Sequence, residues 1–337
     1  MVTISDIAAA LGVTPSTVSR ALSGSPRVKE ETRLAVEKMA TEMGYERNVV
    51  ASNLRKGKSD IVGIIVPRIH RNFFSNVIGG AESILEEAGY CVLICQTHER
   101  LEAEIKALRT LRNNQVAGVL MSHAIGAGDG SHILEALGHH IPLVQFDRVF
   151  SELPGAKVVS NNFQGAYEAT QHLIRQGYRR IGTLAGYMNS EAYAARLEGW
   201  RQALRDGGLP VDESLVFYDT IVRETGHDAG LKALEAGCDA LYSAGDFSAL
   251  GAMEAARSTG LRIPEEFGIV GTANETFTSL MTPSMSSLAL NPFEMGRQAA
   301  QAFLSGEEGV RVVPMELKVR ESSLRTQFEQ QNPISHV

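Results

Sequence analysis

The sequence predicts an α/β fold: an N-terminal three-helix unit carrying a helix-turn-helix, followed by two α/β halves built on parallel sheets. Three observations lead there. Residues 3–24 place two short amphipathic helices around a glycine turn. From Ile61 on, short apolar runs alternate with amphipathic segments. A Gly-Tyr pair closes a helix and opens a strand twice, at Gly89-Tyr90 and Gly177-Tyr178, as a duplicated unit would. At 337 residues the chain is also too long for one ordinary core, so two or three domains are expected.

The first helix begins with Thr3 and Asp6 in a capping-box-like pair, and Ile4, Ile7, Ala8 and Leu11 recur on one face. Gly12 stops it, because glycine takes the left-handed conformation without steric cost. Thr14 is a good N-cap and Pro15 a good first helical residue. Val18 and Leu22 then face inward, leaving Ser16, Thr17, Ser19 and Arg20 outside. This pattern fits a helix-turn-helix whose second helix enters the DNA major groove, with a plain helical hairpin capping a domain as the lesser alternative. Ser25-Pro26 breaks the second helix, and a third is expected from Lys29 to Met43 with Thr32, Ala35, Val36, Met39 and Met43 as its buried stripe. Arg47 to Ser59 reads as a joint: Asn48 to Leu54 offers two helical turns, too few to persist alone in water, and Arg55 to Ser59 a basic linker.

Charge divides the chain in the same place. The net charge is −7, but residues 1–58 hold nine lysines and arginines against six acids. A basic module on an acidic body suits phosphate contact by one end. Met1 leads straight into the first helix and no apolar run is long enough to span a bilayer, so a cytoplasmic protein without membrane contact is expected. Cys91 and Cys95 would lie about 13 Å apart in an extended strand, too far to bridge.

In the body, strands are expected at 61–66, 90–95, 116–121, 141–146, 158–159, 180–185, 215–217, 240–242 and 268–270. Helices are expected near 74–88, 100–113, up to 176, and at 194–206. Uniformly apolar strands between amphipathic helices imply parallel sheets covered on both faces. In such sheets ligands sit beyond the carboxyl ends of the strands. The loops there hold Phe73 and Phe74, Asp147 and Arg148, Asn161 and Asn162, Thr220 and Ile221, Asp246 and Phe247, and Ala273, Asn274 and Glu275. Carboxylates, amides and guanidiniums beside aromatic rings suit a polyhydroxylated ligand. Phe73 and Phe74 read equally as core, Asp246 as a helix N-cap, and Arg148 as a surface charge or a partner of Glu275.

The run Ile-Ser-Asp-Ile-Ala-(x)3-Gly-Val-Thr-Pro-Ser-Thr-Val-Ser-Arg-Ala-Leu, from Ile4 to Leu22, resembles the headpiece of the LacI/GalR family of bacterial transcriptional regulators. The resemblance continues through Arg196-Leu-Glu-Gly-Trp200 and Ser243-Ala-Gly-Asp246. It implies a headpiece at 1–46, a hinge at 47–59 and a periplasmic-binding-protein-like effector and dimerisation domain at 60–337. The two lobes would comprise about 60–160 with 288–317 and 161–287 with 318–330, the chain crossing near Asn161, Ser287 and Leu317. Double-stranded operator DNA is the implied partner, contacted by Thr3, Thr14, Pro15, Ser16, Thr17, Ser19 and Arg20. In the hinge Asn48, Ala51, Leu54 and Arg55 would contribute, with Leu54 as a minor-groove wedge.

The implied effector site is Phe73, Phe74, Asp147, Arg148, Asn161, Ser190, Arg196, Ile221, Asp246, Asn274 and Glu275. Ser190 and Ala192 stand where the family's purine repressor contacts its base, which argues against a purine. Ala273 stands where an aspartate is usual. One acid fewer beside Arg148 and Arg196 shifts the expectation from a neutral sugar toward a sugar acid. The tail lacks the leucine heptads of the lactose repressor, so a homodimer is expected.

No G-x-S-x-G, Walker A or H-E-x-x-H pattern occurs, and no cofactor is expected. His139-His140 has no second pair at metal-ligand spacing and reads as a solvated turn, with no metal site implied. The rival to a DNA-binding repressor is a cytoplasmic solute-binding protein, which would have no use for residues 1–58.

Overall fold

Thr3 caps the first helix, and its pairing with Asp6 sets the start of the fold in this computed structural model, which describes residues 2–45, 59–126, 128–138 and 140–325. The chain divides into two compact units, residues 1–59 and 60–337.

In the first unit α1 (Ile4–Leu11), α2 (Pro15–Leu22) and α3 (Glu30–Glu42) enclose a core of Ile7, Ala8, Val18, Ala21, Val36 and Ala40. The Thr3 hydroxyl accepts from the Asp6 amide at 3.3 Å while the Asp6 carboxylate accepts from the Thr3 amide at 2.8 Å. The Thr3 hydroxyl, which also donates to that carboxylate at 2.7 Å, and the Thr3 amide hold the Asp6 carboxyl below its ordinary range. Gly12 turns the chain at φ 63°, where a Cβ would be strained. Two expectations need correction. The stripe of α3 uses Ala40 and not Ala35, which is exposed, and Leu22 is only half-buried while Ala21 fills the core. The short α3 meets α1 and α2 along a turn shifted toward its C-terminus.

The second unit is built on two six-stranded sheets. The first has the order β11-β5-β4-β3-β1-β2, formed by β1 (Ile61–Val66), β2 (Cys91–Gln96), β3 (Gly118–Met121), β4 (Leu143–Phe146), β5 (Ala156–Ser160) and β11 (Gly309–Val313), all parallel. The second has the order β12-β10-β9-β8-β6-β7. It is formed by β6 (Ile181–Leu184), β7 (Val216–Phe217), β8 (Ala240–Ser243), β9 (Gly268–Thr272), β10 (Ser286–Ala289) and β12 (Glu316–Lys318). Only β12 runs antiparallel to its neighbour. Continuous burial of β3, β4, β6, β8 and β10 explains their mainly apolar and small residues, and Gln145 in β4 is satisfied by the Phe150 backbone.

Helices cover both faces of each sheet. On the first, α4 (Asn72–Glu87) and α11 (Pro292–Ser305) pack over one face, and α5 (Leu101–Asn113) with α6 (Ser131–Leu137) over the other. On the second, α7 (Asn162–Arg175) and α8 (Glu191–Asp206) oppose α9 (Arg223–Glu235) and α10 (Asp246–Ser258). The crossings differ from expectation in two places. Ser287 lies inside β10 of the second sheet, so the chain crosses after it, between Ala289 and Pro292. Leu317 likewise lies inside β12, so the return falls between Val313 and Glu316. Backbone pairing sets these points, and the residues between are too short and mixed to show a period.

Candidate functional site

The cleft between the two sheets opens at the carboxyl ends of their strands and encloses about 160 Å³. From the first sheet, the loop after β1 brings Arg68, Arg71, Phe73 and Phe74, the turn after β2 brings Glu99, and the end of β4 brings Asp147 and Arg148. From the second, the start of α8 brings Ser190, Tyr193 and Arg196, β7 leads to Ile221, β8 to Asp246 and Phe247, and β9 to Thr272, Ala273 and Glu275.

Nine of the eleven residues expected here line the cleft; Asn161 and Asn274 do not. Asn161 caps α7, its carboxamide oxygen accepting from the Gln164 amide at 3.3 Å, and it borders a separate crevice. Its neighbour Asn162 is the one that serves the cleft, accepting from Arg196 Nε at 2.8 Å. Asn274 sits at φ 52° and accepts from Arg320 Nη2 at 2.7 Å, away from the cleft. Both amides are spent on backbone and chain-end structure. Thr220 is likewise buried against the Ala185 and Phe217 carbonyls, leaving Ile221 to face the ligand space.

The open alternatives for the remaining residues resolve by contact. Phe74 is 6% exposed and belongs to the core, yet both it and Phe73 present an edge to the cleft, their rings meeting edge to face at 5.1 Å. Arg148 turns inward and pairs with Glu99, not Glu275: Nη1 and Nη2 reach its two carboxylate oxygens at 2.9 and 3.3 Å. Its Nη1 also donates to the His123 carbonyl at 3.2 Å, and Nε lies 3.9 Å from Asp147. Burial works against the Arg148 charge, but Asp147 and Glu99 more than offset it. Arg196, 6% exposed, donates to Asn162 and to the Ala244 carbonyl, both at 2.8 Å. The expectation that Arg148 and Arg196 stand ready together for an anion is therefore corrected, because protein acceptors hold both.

Asp246 is the first residue of α10, not its cap. Its two oxygens accept from Ser287 Oγ at 2.6 Å and from the Glu275 amide at 2.8 Å. Burial nevertheless pushes its carboxyl up to about 6, and burial also raises Asp147 and Glu275. A carboxyl whose folded pKa is raised contributes stability that is full below the unfolded value near 3.8 and is lost as pH rises through about 6. Urea unfolding from pH 4 to 7.5 should therefore show wild type losing about 3 kcal/mol relative to Asp246→Asn across that window. A constant difference would mean that the Asp246 carboxyl keeps its ordinary pKa. His172, buried against Ser323 and held down to about 4, drives the opposite slope in both proteins and cancels in the comparison.

Ser190 completes the inventory. It precedes α8 and is 4% exposed, but its hydroxyl has no hydrogen-bond partner among the described residues. Arg68, Arg71, Glu99, Tyr193, Phe247 and Thr272 line the cleft although only Phe247 was singled out beforehand. The strand-end rule would have reached Arg68 and Arg71 had the whole loop after β1 been taken.

In the first unit, Thr3, Thr14, Pro15, Ser16 and Arg20 are exposed, and Thr17 and Ser19 are half-buried. Thr14 caps α2 by accepting from the Thr17 amide at 3.2 Å, and its hydroxyl lies 2.9 Å from those of Ser16 and Thr17. The result is a polar helix start of the kind that meets phosphate and base edges. Asn48, Ala51, Leu54 and Arg55 of the expected hinge, His139, and the tail from Thr326 lie outside the described residues. His140 is exposed, and among the described residues no group of three His, Cys, Asp or Glu side chains is placed to hold a metal ion.

A helix-turn-helix unit joined to a two-lobed binding domain defines a ligand-responsive DNA-binding protein. Residues 3–48 match the family of bacterial regulatory proteins of the lacI type, and residues 59–319 match the periplasmic binding proteins and sugar binding domain of the LacI family. The chain belongs to the LacI family of transcriptional regulators. It is 30% identical over 95% of its length to the transcriptional regulator DegA of Bacillus subtilis, covering 98% of that protein. It is 32% identical over 92% of its length to the transcriptional repressor CytR of Escherichia coli, covering 91% of that one. Among solved structures, the regulator CelR in complex with cellobiose is 30% identical with a TM-score of 0.72, covering 96% of this chain and all of that one. The Lac repressor dimer bound to operator and the anti-inducer ONPF, at 24% identity, shares the fold with a TM-score of 0.84 over 96% of this chain and 99% of that one. Among the described residues no helix is long and apolar enough to cross a membrane.

Proposed function

We propose that this chain is a cytoplasmic, dimeric repressor whose operator affinity is set by a carbohydrate-type small molecule, a sugar or sugar acid, held between the two lobes. The observation that carries the reading is the buried, unpartnered Ser190 hydroxyl in a cleft walled by guanidiniums, carboxylates and aromatic edges. A buried hydroxyl without a partner costs about 1–3 kcal/mol, which a ligand hydroxyl or carboxylate removes. CelR, covered over its whole chain, has cellobiose bound, which supports the same ligand class. A ligand touching both lobes favours the closed arrangement, and that population shift changes how two headpieces meet adjacent half-sites. The hinge residues Asn48, Ala51, Leu54 and Arg55 carry the minor-groove contacts in this proposal.

Electrophoretic shift with the chain's own upstream DNA, with and without a carbohydrate panel, tests both halves of the reading. No shift, or a shift unaffected by every carbohydrate, overturns the corresponding half. The same assay reads Arg20, whose exposed guanidinium on α2 is shaped for bidentate contact with guanine O6 and N7. Arg20→Ala should cost about 1–3 kcal/mol on the cognate site and relax preference at one base pair per half-site. Equal weakening on specific and random DNA would make Arg20 a phosphate contact.

A further inference from the structure

The polar groups of the cleft divide into those the protein already uses and those it leaves open. Most carboxylates are used. Glu99 takes both terminal nitrogens of Arg148, and Asp246 has each oxygen occupied by Ser287 or the Glu275 amide. Asp147 accepts from Ser122 Oγ at 3.2 Å beside the Arg148 guanidinium. Glu275 alone retains both oxygens among these acids.

The donors are in the reverse condition. The Arg71 guanidinium lies over the Phe247 ring at 4.1 Å and makes no hydrogen bond or ion pair to any described residue. The Arg71 charge pulls the Glu275 carboxyl down against burial, but no ion pair joins the two. Arg196 uses Nε and Nη1 on neutral acceptors, with Nη2 uncommitted, and Ser190 is unpartnered. A neutral polyol brings a donor and acceptors with every hydroxyl, and the cleft carboxylates keep lone pairs for it, but it leaves the Arg71 charge unneutralised. A carboxylate brings acceptors only, which is what Arg71 lacks.

Resting on the carbohydrate reading above, we infer that Arg71 is the specificity-determining residue of the cleft and takes the carboxylate of a sugar acid, an aldonate or uronate. Contact with the Phe247 ring holds the guanidinium in place, and a guanidinium edge offers two parallel N–H groups to a planar carboxylate. A phosphate monoester, nearly dianionic, would sit closer to the four cleft carboxylates with more charge and is disfavoured. Arg71 belongs to the first lobe and Phe247 to the second, so a carboxylate held there lies on the seam that closure must seal. Here Arg71 replaces Arg148 as the anion partner, and Arg196 has a supporting part through Nη2.

The test is calorimetric titration of the full chain with gluconate, glucuronate, galacturonate, glucose, galactose and glucose 6-phosphate, in wild type, Arg71→Met and Arg71→Lys. Wild type should bind one acid about tenfold to a hundredfold more tightly than its parent hexose, the range expected for a charge-assisted pair. Arg71→Met should erase that preference, acid affinity falling about tenfold to a hundredfold further than hexose affinity, and Arg71→Lys should restore part of it. Tighter binding of a hexose or of glucose 6-phosphate than of any acid overturns the inference, as does an acid preference that survives in Arg71→Met. Hexose binding without acid preference leaves the carbohydrate reading standing and removes only this one. Binding of none of the six removes both.

Discussion

Arg148→Met will destabilise the body by about 3 kcal/mol, the lower end of the cost of breaking a buried ion pair by removing one partner. The Arg148 side chain is 11% exposed and that of Glu99 18%. Without the guanidinium, Glu99 loses two hydrogen bonds and Asp147 loses the cation 3.9 Å away. Arg68, whose Nε is 3.9 Å from Glu99, supplies some compensation and keeps the cost from the upper end of the range near 5 kcal/mol. Both acids sit at φ 61°, a left-handed conformation the pairing helps to hold. The chain's single tryptophan, Trp200, is fully buried in the body and reports its unfolding by fluorescence. Adding Glu99→Gln to Arg148→Met should recover a large part of the loss, since it removes the stranded charge. A loss below about 1 kcal/mol, or no recovery in the double variant, would show the pair to be solvated like a surface bridge.

Gly296→Ala will also destabilise, against its helix propensity. Alanine gains up to about 1 kcal/mol over glycine in a helix interior. At this position on α11, however, a Cβ would lie 2.0 Å from the Val77 carbonyl oxygen of α4. The contact is reciprocal, since a Cβ on Gly80 of α4 would lie 2.0 Å from the Phe293 carbonyl oxygen. The two backbones touch, and separating them opens the core formed by Val77, Ile78, Ala81, Met295 and Ala299. Overpacking of this kind costs about 1–3 kcal/mol or more, enough to outweigh the propensity. Gly79→Ala is the internal control: its Cβ would meet only the Phe293 ring at 3.9 Å, an ordinary contact. The control should be neutral to stabilising by up to about 1 kcal/mol. Equal stabilities of the two alanine variants in chemical unfolding would refute the close-packing account.

The helices and strands were legible because their signals are local. Capping by Thr3 and Thr14 is read within three residues, and the fully apolar runs of β1 and β3 announce burial on both faces. The position of the ligand cleft followed from the parallel sheets alone, since strand ends fall on one side of each. Hence Phe73, Asp147, Arg196, Asp246 and Glu275 were placed there from the sequence, and the structure brings them together. Partnership was not legible. Glu99 and Arg148 stand 49 residues apart, and Arg196 reaches Asn162 across 34. No local pattern distinguishes an arginine that is held from one that is free. Asn161 and Asn274 fell outside the cleft for the same reason: each amide sits in the right loop, but a helix end or Arg320 claims it. The family, the two units and the ring of residues at the strand ends are written in local order along the chain. Which of those charges remain unpaired is settled on folding, because that depends on distances between side chains far apart in the chain.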